Sequence, residues 1–440
     1  HSRRPGRDLR PGAGPRRPGC DPEQPDHRTR AHRGLHDLVH DVERRRPLAA
    51  AVAFCAAIGL FNVLFLWPGF AHSPSTSLSL SHPFPDFLVF HAAARAWLAG
   101  QAGLVYDIAG LTSFQNALYA DTLAKPLLFR PFLYPPTWLL LVLPLGTLPF
   151  AVASSLFLVA TVVLATLVLG RHDRAGWLAV LVSPAASWTV LAGQNSFLTL
   201  GLLYGGLRLA GRSPAAAGLL LGLLSYKPQV WLLVPVALLG ARQWRVLGWM
   251  AVTVGALVLL SAAVLGPELW LDYVDAVQDA GSPRTLDRMF KGVFRQMVTP
   301  WAMARILGLP PAAGAALQLL ASLLAGAVVW VGFRRFPTGE VRFAILGTAT
   351  LLATPYGLNY ELLLLMPAAE RRKSATTADG FFLGEGALYA VLWLLPYLVV
   401  ILNEVGMPLA PAVLVLFGMA AWLRLGNPAK VEWTARPGAG

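Results

Sequence analysis

The sequence predicts an all-α polytopic membrane protein, and three observations support that fold class. The 440 residues are 55% hydrophobic and only 13% charged, with a mean hydropathy of +0.55. Soluble proteins carry about 25% charged residues, nearly twice as many. Apolar segments follow one another almost without interruption from Leu48 to Leu425. Since about 20 apolar residues cross a bilayer, we expect one bundle of about 11–13 transmembrane helices with extracytoplasmic interfacial helices.

The predicted spans are separated by short polar loops and by two longer polar segments. In chain order the spans are Leu48–Phe70, Tyr134–Gly170, Trp177–Ala192, Phe197–Ala210, Pro214–Gly240, Leu247–Leu265, Ala312–Phe333, Phe343–Leu352, Leu358–Ala368, Phe381–Leu402 and Pro408–Leu425. The stretch Tyr134–Gly170 is long enough for two spans. The alternative is a half-helix broken at Pro144 and Pro149, followed by one full span.

The predicted domains are a transmembrane domain of residues 48–425 and two polar tails. Residues 1–47 are rich in Arg, Pro and Gly and lack an apolar period, which predicts disorder. Residues 426–440 are predicted to form a second disordered tail. Because the chain begins with His1 and its first methionine is Met250, we expect part of the first tail not to be native. This interpretation is preferred to nucleic-acid binding, so no nucleic-acid partner is expected.

Several kinds of chemistry have no sequence support. Cys20 lies in a polar tail and Cys55 inside an apolar run, which supports neither a disulfide nor a thiolate metal site. The chain has no D-x-D motif, no Walker loop, no G-x-G-x-x-G after a strand and no histidine cluster. We therefore expect no metal, no cofactor and no cytosolic nucleotide chemistry.

Arginine-rich loops predict the orientation of the helices, since cytoplasmic loops carry an excess of Lys and Arg. The loops assigned to the cytoplasm are Glu43–Arg46, Arg171–Arg174, Arg208–Arg212, Arg242–Arg245, Arg334–Arg335 and Glu370–Lys373. The polar motifs described next then lie together on the opposite side. We expect a multi-pass protein of a bacterial-type cytoplasmic (inner) membrane, with an extracytoplasmic active site.

Asp86 is the first charged residue after the first long apolar stretch. The residues after it have apolar side chains at helical spacing, as in an amphipathic helix that lies in the membrane interface. Phe87, Phe90, Ala94, Trp97 and Leu98 form its apolar side, and His91 and Arg95 its polar side. Two roles for Asp86 remain open. It is either the N-cap of this helix or a catalytic base at the mouth of a cavity that faces lipid.

The motif "FRPFLYPPTW", residues 129–138, has two prolines that suit the first turn of a helix. Arg130 and Tyr134 would then lie at the membrane interface. Arg130 is a candidate for holding a phosphate, and Tyr134 for stacking on a sugar. Interfacial residues that only anchor the protein have the same composition, so this alternative stays open.

Two further motifs place polar side chains between apolar segments. In "GQNSF", Gln194 and Asn195 suit hydrogen bonds to sugar hydroxyls, and they equally suit a tight turn. In "SYKPQ", Lys227 is a cation with apolar sequence on both sides. A charge at membrane depth is costly and indicates function. Lys227 is therefore a candidate for binding a phosphate, unless it extends to the interface.

The polar insert Gly266–Pro310 and the motif "TPYGLNYELLLLMP" supply the last candidates. The insert carries Arg284, Arg288, Lys291 and Arg295 at helical spacing. One cationic face would suit an anionic lipid or a pyrophosphate, although a solvated face is the commoner origin of such runs. The second motif places Asn359, Tyr360 and Glu361 at the head of a span.

Taken together, the motifs resemble those of the GT-C superfamily of membrane glycosyltransferases, and more narrowly glycosyltransferase family 87. The resemblance rests on the order of "PDFLVFHAAARAWLAGQAGLVYD", "LYPPTWLLLVLPLGTLP", "GQNSFLTLGLLYGGLRLAGRSPAAAGLLLGLLSYKPQ" and "TPYGLNYELLLLMP". It covers roughly Leu48 to Leu425 and implies that Asp86, in the first extracytoplasmic loop, is the catalytic base. Glu361 departs from the family pattern, in which an Asp is expected after the Tyr.

The resemblance implies an inverting transfer of a mannose-like hexose from a polyprenyl-phosphate donor to a lipid or glycan acceptor. The donor and acceptor sites would include Arg130, Tyr134, Gln194, Asn195, Lys227, Arg288, Asn359, Tyr360 and Glu361. Membrane lipids are expected as further partners. The alternative is a transporter or flippase for lipid-linked sugars, which predicts inverted repeats with matching broken helices. The sequence shows no such internal symmetry.

Overall fold

The computed structural model describes residues 84–120, 123, 126–169, 174–282, 285, 290–291, 293–336, 340–370 and 384–423. Both predicted tails, the first predicted span and Arg288 lie outside these residues. Within them the secondary structure consists of α-helices and 3-10 helices, with one isolated bridge between Met297 and Leu358. The domain boundaries at residues 47 and 425 therefore stay predictions.

Seventeen α-helices are present in the described part of the chain. They are α1 (Pro85–Leu98), α2 (Ile108–Leu118), α3 (Pro136–Val142), α4 (Phe150–Leu169), α5 (Arg174–Leu181), α6 (Pro184–Ala192), α7 (Ser196–Leu209), α8 (Pro214–Leu223), α9 (Pro228–Trp231), α10 (Leu233–Gly240), α11 (Trp244–Leu265), α12 (Glu268–Ala280), α13 (Pro300–Ile306), α14 (Pro311–Arg335), α15 (Glu340–Ala353), α16 (Glu385–Glu404) and α17 (Ala410–Leu423). The 3-10 helices are Ala102–Leu104, Leu143–Thr147, Leu224–Tyr226, Phe294–Gln296 and Asn359–Leu365.

Four of these helices, α4, α11, α14 and α16, are long and apolar enough to cross a membrane. Shorter apolar helical stretches cover residues 136–147, 196–209, 214–226, 228–240, 342–353 and 410–423. The long helices leave many leucine and valine side chains exposed, Leu259 of α11 by 72%, as expected where lipid surrounds a helix. The prediction of an all-α polytopic membrane protein is confirmed. The number of spans stays a prediction, since Leu48–Phe70 is not described.

The region between Tyr134 and Gly170 has the second of the two predicted arrangements. Helix α3 has 7 residues and continues as the 3-10 helix Leu143–Thr147. After Pro149, helix α4 runs for 20 residues as a full-length span. The prolines separate the two because proline removes a backbone donor and clashes with the preceding turn.

The helices after Gln194 run alternately away from the polar motifs and back. Helix α7 begins next to Asn195 and carries Arg208 about 20 Å further along its axis. Helix α8 packs against α7 and returns to Tyr226, whose hydroxyl lies 2.7 Å from Thr199 Oγ1 near the start of α7. Arg208 therefore lies at the opposite end of this pair from the motifs, as the predicted orientation requires.

The amphipathic interpretation of α1 is wrong. His91, assigned to the polar side, is 4% exposed. Its Nε2 atom donates to the Leu148 carbonyl at 2.9 Å, and its Nδ1 atom lies 2.7 Å from the Tyr119 hydroxyl. Most of α1 is buried because α2, α3 and the 3-10 helix Leu143–Thr147 pack around it.

The helix with an exposed amphipathic surface is α12 in the insert. Leu271, Val274 and Val277 are exposed on one side, and Asp272 and Asp275 are exposed on another. An apolar stripe next to an acidic one suits a helix at the boundary between lipid and water.

Candidate active site

Asp86 lies in the first turn of α1 but does not cap it. The N-cap is Phe84, in the left-handed region with φ 59°, and no side chain caps the helix. The Asp86 carboxylate instead accepts a hydrogen bond from Gln194 Nε2 at 3.1 Å. Its other oxygen, Oδ1, lies 3.6 Å from Arg130 Nη1. The N-cap alternative for Asp86 is therefore wrong.

Gln194 reaches Asp86 because of a tight turn at the end of α6. Gly193 closes α6 in the left-handed conformation with φ 69°, which favours glycine. A Cβ atom on Gly193 would lie 2.7 Å from the Cβ atoms of both Phe84 and Phe87. Only a residue without a side chain allows this turn to press against the start of α1, and the contact places Gln194 next to the carboxylate.

The Gln194 side chain connects four polar groups. Its Oε1 atom accepts from the Asn195 backbone N–H at 2.9 Å and lies 3.4 Å from the Tyr134 hydroxyl, which donates to it. Its Nε2 atom donates to Asp86 Oδ2 and, at 3.0 Å, to the Tyr360 hydroxyl. The tight turn that the sequence suggested is thus present, and the Gln194 side chain bonds protein groups at this position.

Lys227 is 1% exposed and lies between the 3-10 helix Leu224–Tyr226 and Pro228, the first residue of α9. Its ammonium group donates to Asn195 Oδ1 at 2.8 Å and forms an ion pair with Glu361 Oε1. The alternative in which Lys227 extends to the membrane interface is therefore wrong. A buried charge needs such partners, since leaving it unpaired is very costly.

Eight of the ten predicted site residues form one connected polar group, which we call the Asp86 cluster. Its members are Asp86, Arg130, Tyr134, Gln194, Asn195, Lys227, Tyr360 and Glu361. Asn359 does not join it, because its side-chain amide donates to the Pro396 carbonyl at 2.9 Å. Arg288 is not among the described residues, and Arg295 from the same insert pairs with Glu404.

Sequence reasoning missed Tyr226, which forms one wall of the cluster. Its ring stacks on Trp138 with centroids 4.4 Å apart. Its hydroxyl lies 3.5 Å from the Asn195 carbonyl oxygen, to which it donates. Tyr226 could have been identified from its position directly before Lys227 in "SYKPQ". In the structure both residues are buried.

The cluster balances its charges, with two carboxylates and two cations. Asp86 and Arg130 form the more accessible end, with side chains 22% and 17% exposed. Burial raises the pKa of the Asp86 carboxyl above its ordinary value, and the Arg130 charge and the Gln194 hydrogen bond oppose that rise. A carboxylate with a raised pKa at the edge of a buried polar group is suited to accept a proton.

Two buried side-chain atoms of the cluster have no hydrogen-bond partner among the described residues. They are Asn195 Nδ2, a donor, and Glu361 Oε2, an acceptor. In the same part of the chain, no group of three or more His, Cys, Asp or Glu side chains is arranged to hold a metal ion.

Comparison with known protein families gives a match. The family model of glycosyltransferase family 87 matches residues 132–355, slightly more than half of the chain. The matched range contains Tyr134, Gln194, Asn195 and Lys227. Arg130, Tyr360 and Glu361 lie within a few residues of its ends, and Asp86 lies well before its start. No curated protein and no solved structure matches the chain.

Proposed function

Because the chain belongs to glycosyltransferase family 87 and is a membrane glycosyltransferase, we propose that it transfers a mannose-like hexose from a polyprenyl-phosphate donor to a lipid or glycan acceptor. The observation that supports this most is the pairing of Asp86 with Arg130 at the accessible end of a buried polar cluster. A base and a cation side by side are what an acceptor hydroxyl and a donor phosphate require. The membrane is the bacterial-type cytoplasmic one, with the site on its extracytoplasmic side.

In the proposed reaction, Asp86 takes the proton of the acceptor hydroxyl. The acceptor oxygen then forms a bond to the anomeric carbon while the bond from that carbon to the phosphate oxygen breaks, which inverts the configuration. The transition state has oxocarbenium character. The leaving phosphate keeps the electron pair and gains negative charge, so a cation that stabilises this charge more strongly in the transition state accelerates transfer.

Among the cluster's cations, Arg130 suits the phosphate better than Lys227. The Lys227 charge is enclosed, 1% exposed, and is already balanced by Glu361. Arg130 is more accessible, and its planar guanidinium matches a phosphate with two parallel donors. Its backbone is held in place on both sides, since its N–H donates to Thr112 and its carbonyl accepts from Gln115.

We expect Arg130→Gln to lower transfer by about 10²- to 10³-fold, because it removes the charge opposite the leaving phosphate. Arg130→Lys should keep part of the activity, since a point charge replaces the planar pair of donors. Arg95→Gln is the matched control, because Arg95 is an exposed arginine at the other end of α1. Rates are measured in membranes with labelled donor. Equal rates for Arg130→Gln and Arg95→Gln would remove Arg130 from the mechanism.

The function itself is tested by incubating membranes that contain the protein with labelled polyprenyl-phosphate hexoses. We expect label to appear in a new glycolipid or glycan, and to be absent from membranes that lack the protein. Intact donor that crosses the membrane without forming a product would support the flippase alternative and contradict the proposal. Parallel incubations with different hexoses identify the sugar.

The proposed orientation predicts which positions an impermeant thiol reagent reaches in intact cells. In a chain in which Cys20 and Cys55 are replaced by serine, we expect Ser79→Cys and Gly281→Cys to be labelled. Gln243→Cys, between Arg242 and Arg245, should stay protected until the membrane is permeabilised. Labelling of the Gln243 variant alone would reverse the orientation and move the Asp86 cluster to the cytoplasmic side.

A further inference from the structure

Gln194 has every hydrogen-bonding position of its side chain occupied by protein. An amide oxygen has two lone pairs and an amide nitrogen two protons. Oε1 accepts from Asn195 N–H and the Tyr134 hydroxyl, and Nε2 donates to Asp86 and the Tyr360 hydroxyl. The side chain is also buried, with 5% of the residue exposed. No position is left for a sugar hydroxyl, which disfavours the sugar-binding role that the sequence suggested.

The orientation of the Gln194 amide is determined by its partners. Rotating the amide by half a turn would point its N–H₂ group at the Asn195 N–H, and its oxygen at the Asp86 carboxylate. Both contacts would be repulsive. The Asn195 backbone is fixed in turn, since its side-chain oxygen accepts from Lys227 and its carbonyl accepts from Thr199 Oγ1 at 3.0 Å. A continuous set of contacts therefore runs from the buried Lys227 to Asp86.

We propose that Gln194 is a positioning residue that holds the Asp86 carboxylate ionised and fixed in orientation, with the buried Lys227–Glu361 pair as its anchor. The donor hydrogen of Nε2 occupies Oδ2. The other oxygen, Oδ1, faces Arg130. The expected effect of Gln194 on the rate of sugar transfer rests on the proposed function. Its effect on the protonation of the Asp86 carboxyl group does not, because that protonation can be measured without substrate.

The test compares Gln194→Met and Gln194→Glu in the full chain. Methionine is close to glutamine in size but cannot donate a hydrogen bond. A hydrogen bond to the charged form lowers a pKa, so its loss should raise the pKa of Asp86 further. Glutamate keeps the shape of the side chain and sets a second carboxylate against Asp86. The two neighbouring carboxyl groups of this variant should then titrate as a pair, with one of their two apparent pKa values raised further.

The measurement is an infrared titration of detergent-solubilised protein, in which the Asp86 carboxyl band is identified by its absence from Asp86→Asn. Gln318→Met is the matched control, since Gln318 is equally buried and bonds the carbonyls of Leu352 and Ala353. We expect no shift in that control. The pH profile of transfer should move in the same direction as the infrared titration, with its acidic limb at higher pH in Gln194→Met.

An unshifted Asp86 titration in both Gln194 variants would overturn the inference. A higher KM for the donor with an unchanged pH profile would also overturn it, because that result would indicate that Gln194 binds substrate. If Gln194→Met does not fold, Gln194→Leu, which also lacks the donor, takes its place, because the like charge of Gln194→Glu raises the pKa of Asp86 by itself. If the parent transfers no sugar, the proposed function fails, and the infrared shift still decides whether Gln194 controls the carboxyl.

Discussion

Asp86→Asn is expected to lower sugar transfer by about 10²- to 10⁴-fold, the usual contribution of a general base. An amide cannot take the acceptor's proton at neutral pH. Its oxygen can still accept the hydrogen bond from Gln194, and no cap is lost because Asp86 does not cap α1. Detergent-extracted yield and donor binding should therefore stay close to the parent, and the loss should appear in kcat.

The matched control for this substitution is Asp107→Asn. Asp107 does cap a helix, since its carboxylate accepts from the backbone N–H groups of Ala109 and Gly110 at the start of α2. Asparagine caps about as well as aspartate, so parental activity and yield are expected. Asp86→Glu should be intermediate, because it keeps the base but moves it by one methylene. Parental transfer by Asp86→Asn would leave Glu361 as the next candidate for the base.

The pH dependence of the parent follows from the same carboxyl. Burial raises the pKa of Asp86 above the ordinary value for aspartate. The base acts only when ionised, so transfer should rise with pH as Asp86 loses its proton, and the midpoint of that rise should lie above the ordinary value. In Asp86→Asn this acidic limb should disappear from the residual activity.

The largest expected effect on stability is that of Lys227→Met. It leaves the Glu361 carboxylate buried, 6% exposed, without its cation. Breaking a buried ion pair from one side destabilises a protein by about 3–5 kcal/mol. We expect a large loss of folded protein after detergent extraction and a lower midpoint of thermal unfolding. The double variant Lys227→Met/Glu361→Met should recover most of the loss, because paired removal leaves no buried charge.

Arg245→Met is the control for loss of a positive charge, since Arg245 is exposed at the start of α11. A change within about 0.5 kcal/mol is expected there. If the double variant were as unstable as Lys227→Met alone, the lysine would stabilise the fold through Asn195 rather than through Glu361. Activity should stay low in the double variant, because Asn195 loses its bond to Lys227 and Gln194 loses its anchor.

Much of the site could be predicted because its residues sit where the membrane pattern breaks. Apolar sequence is interrupted at Asp86, at Lys227 and at the pair Gln194–Asn195. The arginine-rich loops predicted that all of these residues lie on the extracytoplasmic side of the membrane. The structure brings them together with Tyr360 and Glu361. The half-helix before α4 was also open to prediction, because Pro144 and Pro149 break the apolar stretch.

Other features depend on contacts that leave no local trace in the sequence. An aspartate after a proline looks the same whether it caps a helix or faces Gln194, 108 residues away in the chain. The side of α1 that carries His91 looked polar, but Tyr119 and Leu148 enclose that ring. Lys227 could be identified as an unusual cation, whereas its partner Glu361 could not be assigned from sequence alone.

The separation of Lys227 and Glu361 has a consequence for the biosynthesis of the protein. The two residues are 134 positions apart, so the ribosome makes the anion on the order of ten seconds after the cation. During that interval the helices around Lys227 are complete, but the charge at their break lacks its counter-ion. We therefore expect the Lys227 side chain to stay hydrated, or to lose its proton, until the segment with Glu361 arrives. Pairing of the two charges thus coincides with assembly of the Asp86 cluster, and a chain that stops before residue 361 lacks the counter-ion of Lys227.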